Sequence, residues 1–254
     1  MNQVNEFLPM TRPAVFLDRD GVINSYAYDS EFGTFDSPAH PEHFHLLPGA
    51  GEAIASLSHL NLQVIVVSNQ PGIAKGKFTP WQLDTINEAM RLQLARSGAR
   101  LDAVYYCRHH PEATLDAYRV DCDCRKPKPG MLLRAARERN IDLTRSFLVG
   151  DGVPDILAGG SAGVTTLLVS SPHCSVCQEF ASRGALPDFS VRNLRHAAHV
   201  IAETLLGGNF PAPDFQRREP APCILHRDRS EPNAHPVPEP SPAAKVIPLA
   251  SSRT

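Results

Sequence analysis

Between residues 14 and 169 the chain places five short runs of apolar and β-branched residues, each followed by a helix-length segment. The runs are Ala14-Val15-Phe16-Leu17 and residues 63–68, 101–106, 147–149 and 166–169. Consecutive rather than alternating apolar positions belong to strands buried on both faces, as in a parallel sheet covered by helices on each side. The intervening segments carry helical spacing and boundary signals. Residues 50–60 space Ile54, Leu57 and Leu60 at helical intervals. Thr79-Pro80-Trp81-Gln82 offers a cap, a proline at the first helical position and a capping-box glutamine, and Gly98 ends that helix after Ser97. Residues 131–140, 155–162 and 193–206 complete the helices, the last closed by Gly207-Gly208. The expected fold class is α/β: a doubly wound, mostly parallel sheet.

The first strand runs directly into Asp18-Arg19-Asp20-Gly21. Open α/β sheets bind ligands beyond the carboxyl ends of their strands, so both carboxylates stand where chemistry is expected. One carboxylate can attack a phosphoryl group and the other can carry protons to and from the reacting oxygens. An anionic phosphate facing a carboxylate nucleophile calls for a divalent cation such as Mg²⁺. In isolation such a pair is equally a strand end with two solvated acids, and the remaining strand ends weigh on the choice.

Ser68-Asn69-Gln70-Pro71-Gly72 follows the second strand, with a hydroxyl and backbone N–H groups able to donate to a phosphoryl oxygen. Arg125-Lys126-Pro127-Lys128-Pro129-Gly130 precedes a helix and supplies fixed cations in a proline-stiffened turn. Gly150-Asp151-Gly152-Val153-Pro154-Asp155 follows the fourth strand; Asp151 can complete a metal site with Asp18, while Asp155 also suits a helix cap. Cys107-Arg108-His109 and Cys122-Asp123-Cys124 bring three sulfurs and one imidazole, a set suited to a closed tetrahedral Zn²⁺. Cys174 and Cys177 form a separate C-x-x-C, for which a second metal or redox role is the less favoured reading.

The order of these motifs resembles that of the haloacid dehalogenase (HAD) phosphatase superfamily. FLDRDGVIN, VSNQPGIAKGKFT, YYCRHHPE, CDCRKPKPGM and VGD are similar to the heptose 1,7-bisphosphate phosphatase and histidinol phosphatase group, across residues 13–206. The resemblance implies a phosphoric monoester hydrolase acting through an aspartyl phosphate, with no large cap domain. It makes Asp18 the nucleophile and Asp20 the general acid/base. It assigns Mg²⁺ to Asp18, Asp20 (through its backbone carbonyl) and Asp151, and Zn²⁺ to Cys107, His109, Cys122 and Cys124. Ser68, Asn69 and Lys126 are implied in phosphate binding, and Arg125 in contacting the rest of the substrate. The substrate implied first is the 7-phosphate of a heptose 1,7-bisphosphate, then histidinol phosphate; a non-catalytic zinc-stabilised binding module is the reading from another class.

A net charge of −2 and a pI near 6.6 disfavour nucleic-acid coating or a polybasic membrane surface. No apolar run reaches a membrane-spanning length, and residues 1–13 lack signal-peptide character. The expectations are a cytoplasmic monomer whose partner is a small phosphorylated metabolite, without nucleic-acid or membrane partners. Ten of the 23 prolines fall between Pro211 and Pro248, too polar and proline-dense a segment to offset its ordering entropy. The expected organisation is an extension over 1–12, a phosphatase domain over 13–208 and a disordered tail over 209–254.

Overall fold

The computed structural model describes residues 11–30, 33–169, 183, 186–208 and 210. All fall within the first of two units of the chain, residues 1–221. The C-x-x-C of Cys174 and Cys177 and the proline-rich tail beyond Phe210 lie outside the described residues.

Eight strands and six α-helices follow one another along the described chain: β1 (Ala14–Leu17), β2 (Ala27–Asp29), β3 (Thr34–Asp36), α1 (Ala50–His59), β4 (Gln63–Asn69), α2 (Pro71–Ala74), α3 (Pro80–Arg96), β5 (Ala103–Cys107), α4 (Gly130–Arg139), β6 (Phe147–Gly150), α5 (Val153–Ala162), β7 (Thr165–Val169), β8 (Phe189–Val191) and α6 (Leu194–Gly207). The main sheet is parallel throughout, in the order β5-β4-β1-β6-β7-β8.

Every residue of β1 is fully buried, and alternate residues serve opposite faces. Val15 and Leu17 join Val64, Val66 and the apolar sides of α1, α3 and α6. Ala14 and Phe16 join Ile65, Val67 and the apolar sides of α4 and α5. This two-sided cover is why the sequence shows unbroken apolar runs. The chain leaves β1 toward β4 and β5, then returns past β1 to β6, so strand order reverses at β1. A crevice opens at such a reversal, beyond the carboxyl ends of the strands.

The helix signals are realised. The Thr79 hydroxyl accepts from the Gln82 N–H at 3.2 Å, and the Gln82 side chain accepts from the Thr79 N–H at 2.8 Å. Asn193 caps α6 by accepting from the His196 N–H. Helix α5 begins at Val153, two residues earlier than the spacing suggested.

Three elements escaped the sequence reading: the exposed antiparallel hairpin β2–β3, the edge strand β8 and the single-turn α2. Three-residue strands are too short to display a period. The hairpin's Tyr28 and Phe35 rings meet edge to face at 5.5 Å on the surface. Between β1 and α1 this hairpin and one turn of 3₁₀ helix are the described elements, consistent with a domain lacking a large cap. No helix among the described residues is long and apolar enough to cross a membrane.

Candidate active site

The carboxyl end of β1 is held against β6, where the Asp18 N–H donates to the Val149 carbonyl at 2.9 Å. Gly21 then turns the chain at φ +80°, and a Cβ there would run into the Asp151 carboxylate. Glycine thus meets two demands, a left-handed backbone and the close approach of two acidic loops. Asp18, Asp151 and Asp155 each bring a carboxylate oxygen within 4.8 Å of the others.

The cation within this acidic group is Lys126. Its buried ammonium lies 3.1 Å from Asp18 Oδ1, donates to the Val67 carbonyl at 2.9 Å and pairs closely with Asp155 Oδ1. Burial opposes its charge, but Asp155 and Asp18 outweigh that and raise its pKa above the ordinary lysine value. One lysine does not balance three acids. Burial, then the Asp18 and Asp155 charges, push the Asp151 carboxyl up to about 7. Burial and Asp18 likewise hold Asp155 up at about 6 against the pull of Lys126. A hard divalent cation is the group that lets all three ionise together, so the donor set fits one. Tyr26 donates to Asp151 Oδ2 at 2.8 Å, and burial followed by the Asp151 charge keeps its phenol protonated.

The Lys126 loop is pinned by Asn69, whose amide donates to the Lys126 carbonyl at 3.0 Å and accepts from its N–H at 3.1 Å. In this geometry the Asn69 side chain positions the lysine. Ser68 is buried at the end of β4, its hydroxyl accepting from Gln70 Nε2 at 3.2 Å.

Asp20 sits apart from the acidic cluster, within a cage of donors. Its Oδ1 accepts from Arg19 Nε at 3.2 Å and Asn24 Nδ2 at 2.8 Å; its Oδ2 accepts from Gln70 Nε2 and Ser37 Oγ, both at 2.8 Å. Arg19 Nη2 reaches both oxygens at 3.1 Å and also Gln70 Oε1 at 3.0 Å. Burial works against the Asp20 charge, yet Arg19 and the three other donors together lower its pKa. Arg19 is itself fully buried, with its guanidinium carbon 5.6 Å from the Tyr106 ring centre.

At the carboxyl end of β5 the four soft ligands converge. Sγ separations are 3.6 Å for Cys107–Cys122 and 3.2 Å for Cys122–Cys124, and His109 Nδ1 lies 3.4 Å from Cys124 and 3.9 Å from Cys107. Bonds of about 2.3 Å from one metal set tetrahedral sulfur–sulfur edges near 3.8 Å, so the cluster fits a structural Zn²⁺. Burial, followed by the neighbouring thiols, raises the Cys107 pKa, a strain that a bound cation relieves. Gly130 opens α4 where a Cβ would strike the Asp123 carbonyl, which lets the Cys-Asp-Cys loop lie directly on the helix. Arg125 leaves this loop with its guanidinium 3.3 Å from the His109 carbonyl.

Comparison with known proteins fits this geometry. A HAD-hydrolase-like family model matches residues 123–197. The D-glycero-beta-D-manno-heptose-1,7-bisphosphate 7-phosphatase of Vibrio cholerae serotype O1 is 38% identical over 189 residues, 74% of this chain and 96% of that protein. The chain belongs to this family of HAD phosphatases. The same-named protein of Escherichia coli K12 is 42% identical over 155 residues, 61% of this chain and 76% of that one. A crystal structure of the D,D-heptose 1,7-bisphosphate phosphatase of B. bronchiseptica, complexed with magnesium and phosphate, superposes with a TM-score of 0.61 at 32% identity, covering 75% of this chain and 98% of that one. This HAD phosphatase is therefore a phosphoric monoester hydrolase.

The structure brings Asp18, Ser68, Lys126 and Asp151 to one crevice and the four Zn²⁺ candidates to a second site beside it. The Asp20 side chain stands outside the carboxylate cluster, which leaves its backbone as the part available to a metal. Asp155 takes the third carboxylate position. It is not the N-cap its position suggested: Gly152 holds that place, and Asp155, in the first turn of α5, accepts from the Gly152 N–H at 3.2 Å. Sequence reasoning passed over Gln70, Ser37 and Tyr26. Gln70 lies inside a quoted motif and was within reach; Ser37 and Tyr26 lie in the segment 25–45, which matches the resembled group's substrate-facing loop in position but not in its residues.

Proposed function

We propose that the enzyme hydrolyses the 7-phosphate of D-glycero-D-manno-heptose 1,7-bisphosphate through an aspartyl phosphate on Asp18. The observation that carries the reading is the Lys126 ammonium between Asp18 and Asp155, with the Asp151 carboxylate in the same cluster and a separately caged Asp20 two residues on from Asp18. Asp18 Oδ1 accepts from the Arg19 N–H at 2.7 Å and faces Lys126, which leaves Oδ2 as the attacking oxygen. The negative charge of a bound phosphoryl group opposes the Asp20 charge and lets Asp20 take up a proton from solvent. As Oδ2 bonds to phosphorus, the bond to the sugar oxygen breaks and Asp20 delivers that proton to the departing oxygen. Asp20 then takes a proton from water as the water attacks phosphorus, and the phosphorus–Asp18 bond breaks to release phosphate. Ser68 and Lys126 hold the transferring oxygens, and Arg125 faces the rest of the substrate. Asp18, Asp151, Asp155 and the Asp20 carbonyl would hold Mg²⁺, which when bound offsets charge on the phosphoryl oxygens. The phosphatase domain spans residues 13–208, a reading supported at its ends by Arg12, whose N–H donates to the Asn140 carbonyl at 3.1 Å, and by the Phe210 ring 5.6 Å from that of Phe147.

A phosphate-release screen over the heptose bisphosphate, hexose phosphates and histidinol phosphate, with and without EDTA, tests this. Preferred, Mg²⁺-dependent release from the heptose bisphosphate is expected; preference for histidinol phosphate would move the substrate, and no release from any would end the reading.

Two metal predictions follow. In the metal-free protein Asp151 and Asp155 titrate near 7 and 6, above their ordinary 3.8. The folded state then holds more protons than the unfolded one, so stability falls as pH rises from about 4 to 7. Mg²⁺ reverses this by pairing with the ionised form. Melting curves should show a gain with Mg²⁺ of roughly 5–10 °C at pH 8 and less than half of that at pH 5.5. An equal gain at both pH values would contradict this. Elemental analysis should also find about one Zn²⁺ per chain. Cys122→Ala or Cys124→Ala should lose it and melt roughly 5–10 °C lower, whereas zinc-free wild type would exclude the site.

A further inference from the structure

We propose that Ser37 is a positioning residue for the acid/base Asp20 and couples it to the β2–β3 hairpin. The inference rests on the phosphatase reading above and extends it to a residue outside the motifs.

Of the four side chains that hold the Asp20 carboxylate, three belong to the strand-end loops: Arg19 and Asn24 after β1, and Gln70 after β4. The fourth is Ser37, one residue beyond β3, whose hydroxyl donates to Asp20 Oδ2 at 2.8 Å. Ser37 is in turn fixed from the hairpin side. Its N–H donates to Asp36 Oδ1 at 2.8 Å, and the other Asp36 oxygen accepts from Lys77 Nζ at 2.6 Å. Lys77 also reaches Asp29 of β2 at 3.4 Å. A continuous chain of polar contacts thus runs from Lys77 in the loop after α2, through Asp36 of β3 and Ser37, to Asp20 Oδ2, with Asp29 of β2 joined to it at Lys77. The same residues line a cavity of about 250 Å³ that includes Tyr28, Asp29, Ser37, His40, His43 and Lys77.

Ser37 also differs chemically from its companions. The guanidinium of Arg19 can only donate, Asn24 presents its NH₂ group to Asp20, and the Gln70 oxygen already accepts from Arg19. A hydroxyl donates or accepts by rotation. Ser37 can therefore stay bonded to Oδ2 before and after the proton leaves for the departing oxygen. Its loss should impair proton delivery more than phosphate binding, and reactions with poor leaving groups should feel it most.

The test compares p-nitrophenyl phosphate, whose phenol leaves without help, with phenyl phosphate, whose phenol needs a proton. Ser37→Ala is expected to lower kcat/KM, which reports leaving-group departure and not the later water attack, roughly tenfold on phenyl phosphate, while kcat/KM on p-nitrophenyl phosphate and competitive inhibition by inorganic phosphate change by less than about twofold. Ser37→Thr should restore the lost kcat/KM. Asp36→Ala, which removes the acceptor of the Ser37 N–H while keeping the Ser37 hydroxyl, should show the same selectivity at smaller amplitude, and serves if Ser37→Ala melts early. Equal losses of kcat/KM on both substrates, a change confined to phosphate inhibition, or no loss in either variant would overturn the role. Wild type silent on both substrates and on the heptose bisphosphate would instead remove the phosphatase reading beneath it.

Discussion

Asp18→Asn is expected to stop turnover, with phosphate release falling by more than roughly 10⁴-fold while the fold persists. An amide oxygen is a far weaker nucleophile than a carboxylate, and the substitution also withdraws one charge from the metal ligands. Stability should move the other way. Asp18 is among the charges that raise the pKa values of Asp151 and Asp155, so its neutralisation relieves repulsion in the metal-free protein. The EDTA-treated variant should melt at or above the wild-type temperature. Trapping separates this carboxylate from its neighbour. Wild type with beryllium fluoride should form an aspartyl-phosphate mimic, and Asp18→Asn should not. Asp20→Asn should keep the trap but lose roughly 10²–10⁴-fold in rate, since only proton transfer is removed. Near-normal Mg²⁺-dependent release from Asp18→Asn would refute the covalent route.

The main sheet was legible because burial on both faces writes itself as consecutive apolar residues, as in Val64-Ile65-Val66-Val67. The site was legible where a motif ends such a run: Asp18 after β1, Ser68 in β4 and Asp151 after β6. What escaped has physical reasons. Strand β8 and the hairpin are three residues per strand, and the hairpin lies on the surface with Phe35 exposed, so neither apolar runs nor period mark them. Ser37 and Tyr26 reach the site from that hairpin segment, through the tertiary contacts to Asp20 and Asp151. Asp155 was visible as a residue of the helix start, where it bonds the N–H of the capping Gly152 from the first turn. Its second role depends on the first turn of α5 aiming its other oxygen at Lys126, a geometry set by packing of α5 on β6 and β7.

Lys126 carries the largest structural consequence in the site. Lys126→Met nearly preserves volume but removes the ammonium from a buried position between Asp18 and Asp155. Removing one partner from a buried ionic group leaves charges without compensation, a loss of roughly 3–5 kcal/mol. The Val67 carbonyl also loses its side-chain donor, which adds to the penalty. The loss should depend on pH. The wild-type lysine pKa is raised above its ordinary value, so its charge is present throughout the range from pH 5 to 8. The carboxylates, by contrast, take up protons as pH falls. The variant's deficit in EDTA should therefore be larger at pH 8 than at pH 5.5, where protonated Asp151 and Asp155 need no cation. Mg²⁺ should recover part of the melting temperature at pH 8 by supplying the missing charge. Activity should not recover with it, because the ammonium that faces the transferring oxygens is gone; a fall of roughly 10²–10³-fold in kcat is expected. Lys126→Arg should not substitute, since a planar guanidinium does not fit the compact site among Asp18, Asp155 and the Val67 carbonyl. An unchanged melting temperature in EDTA at pH 8, or wild-type kcat in Lys126→Met, would show that the acidic cluster is balanced by something other than this lysine.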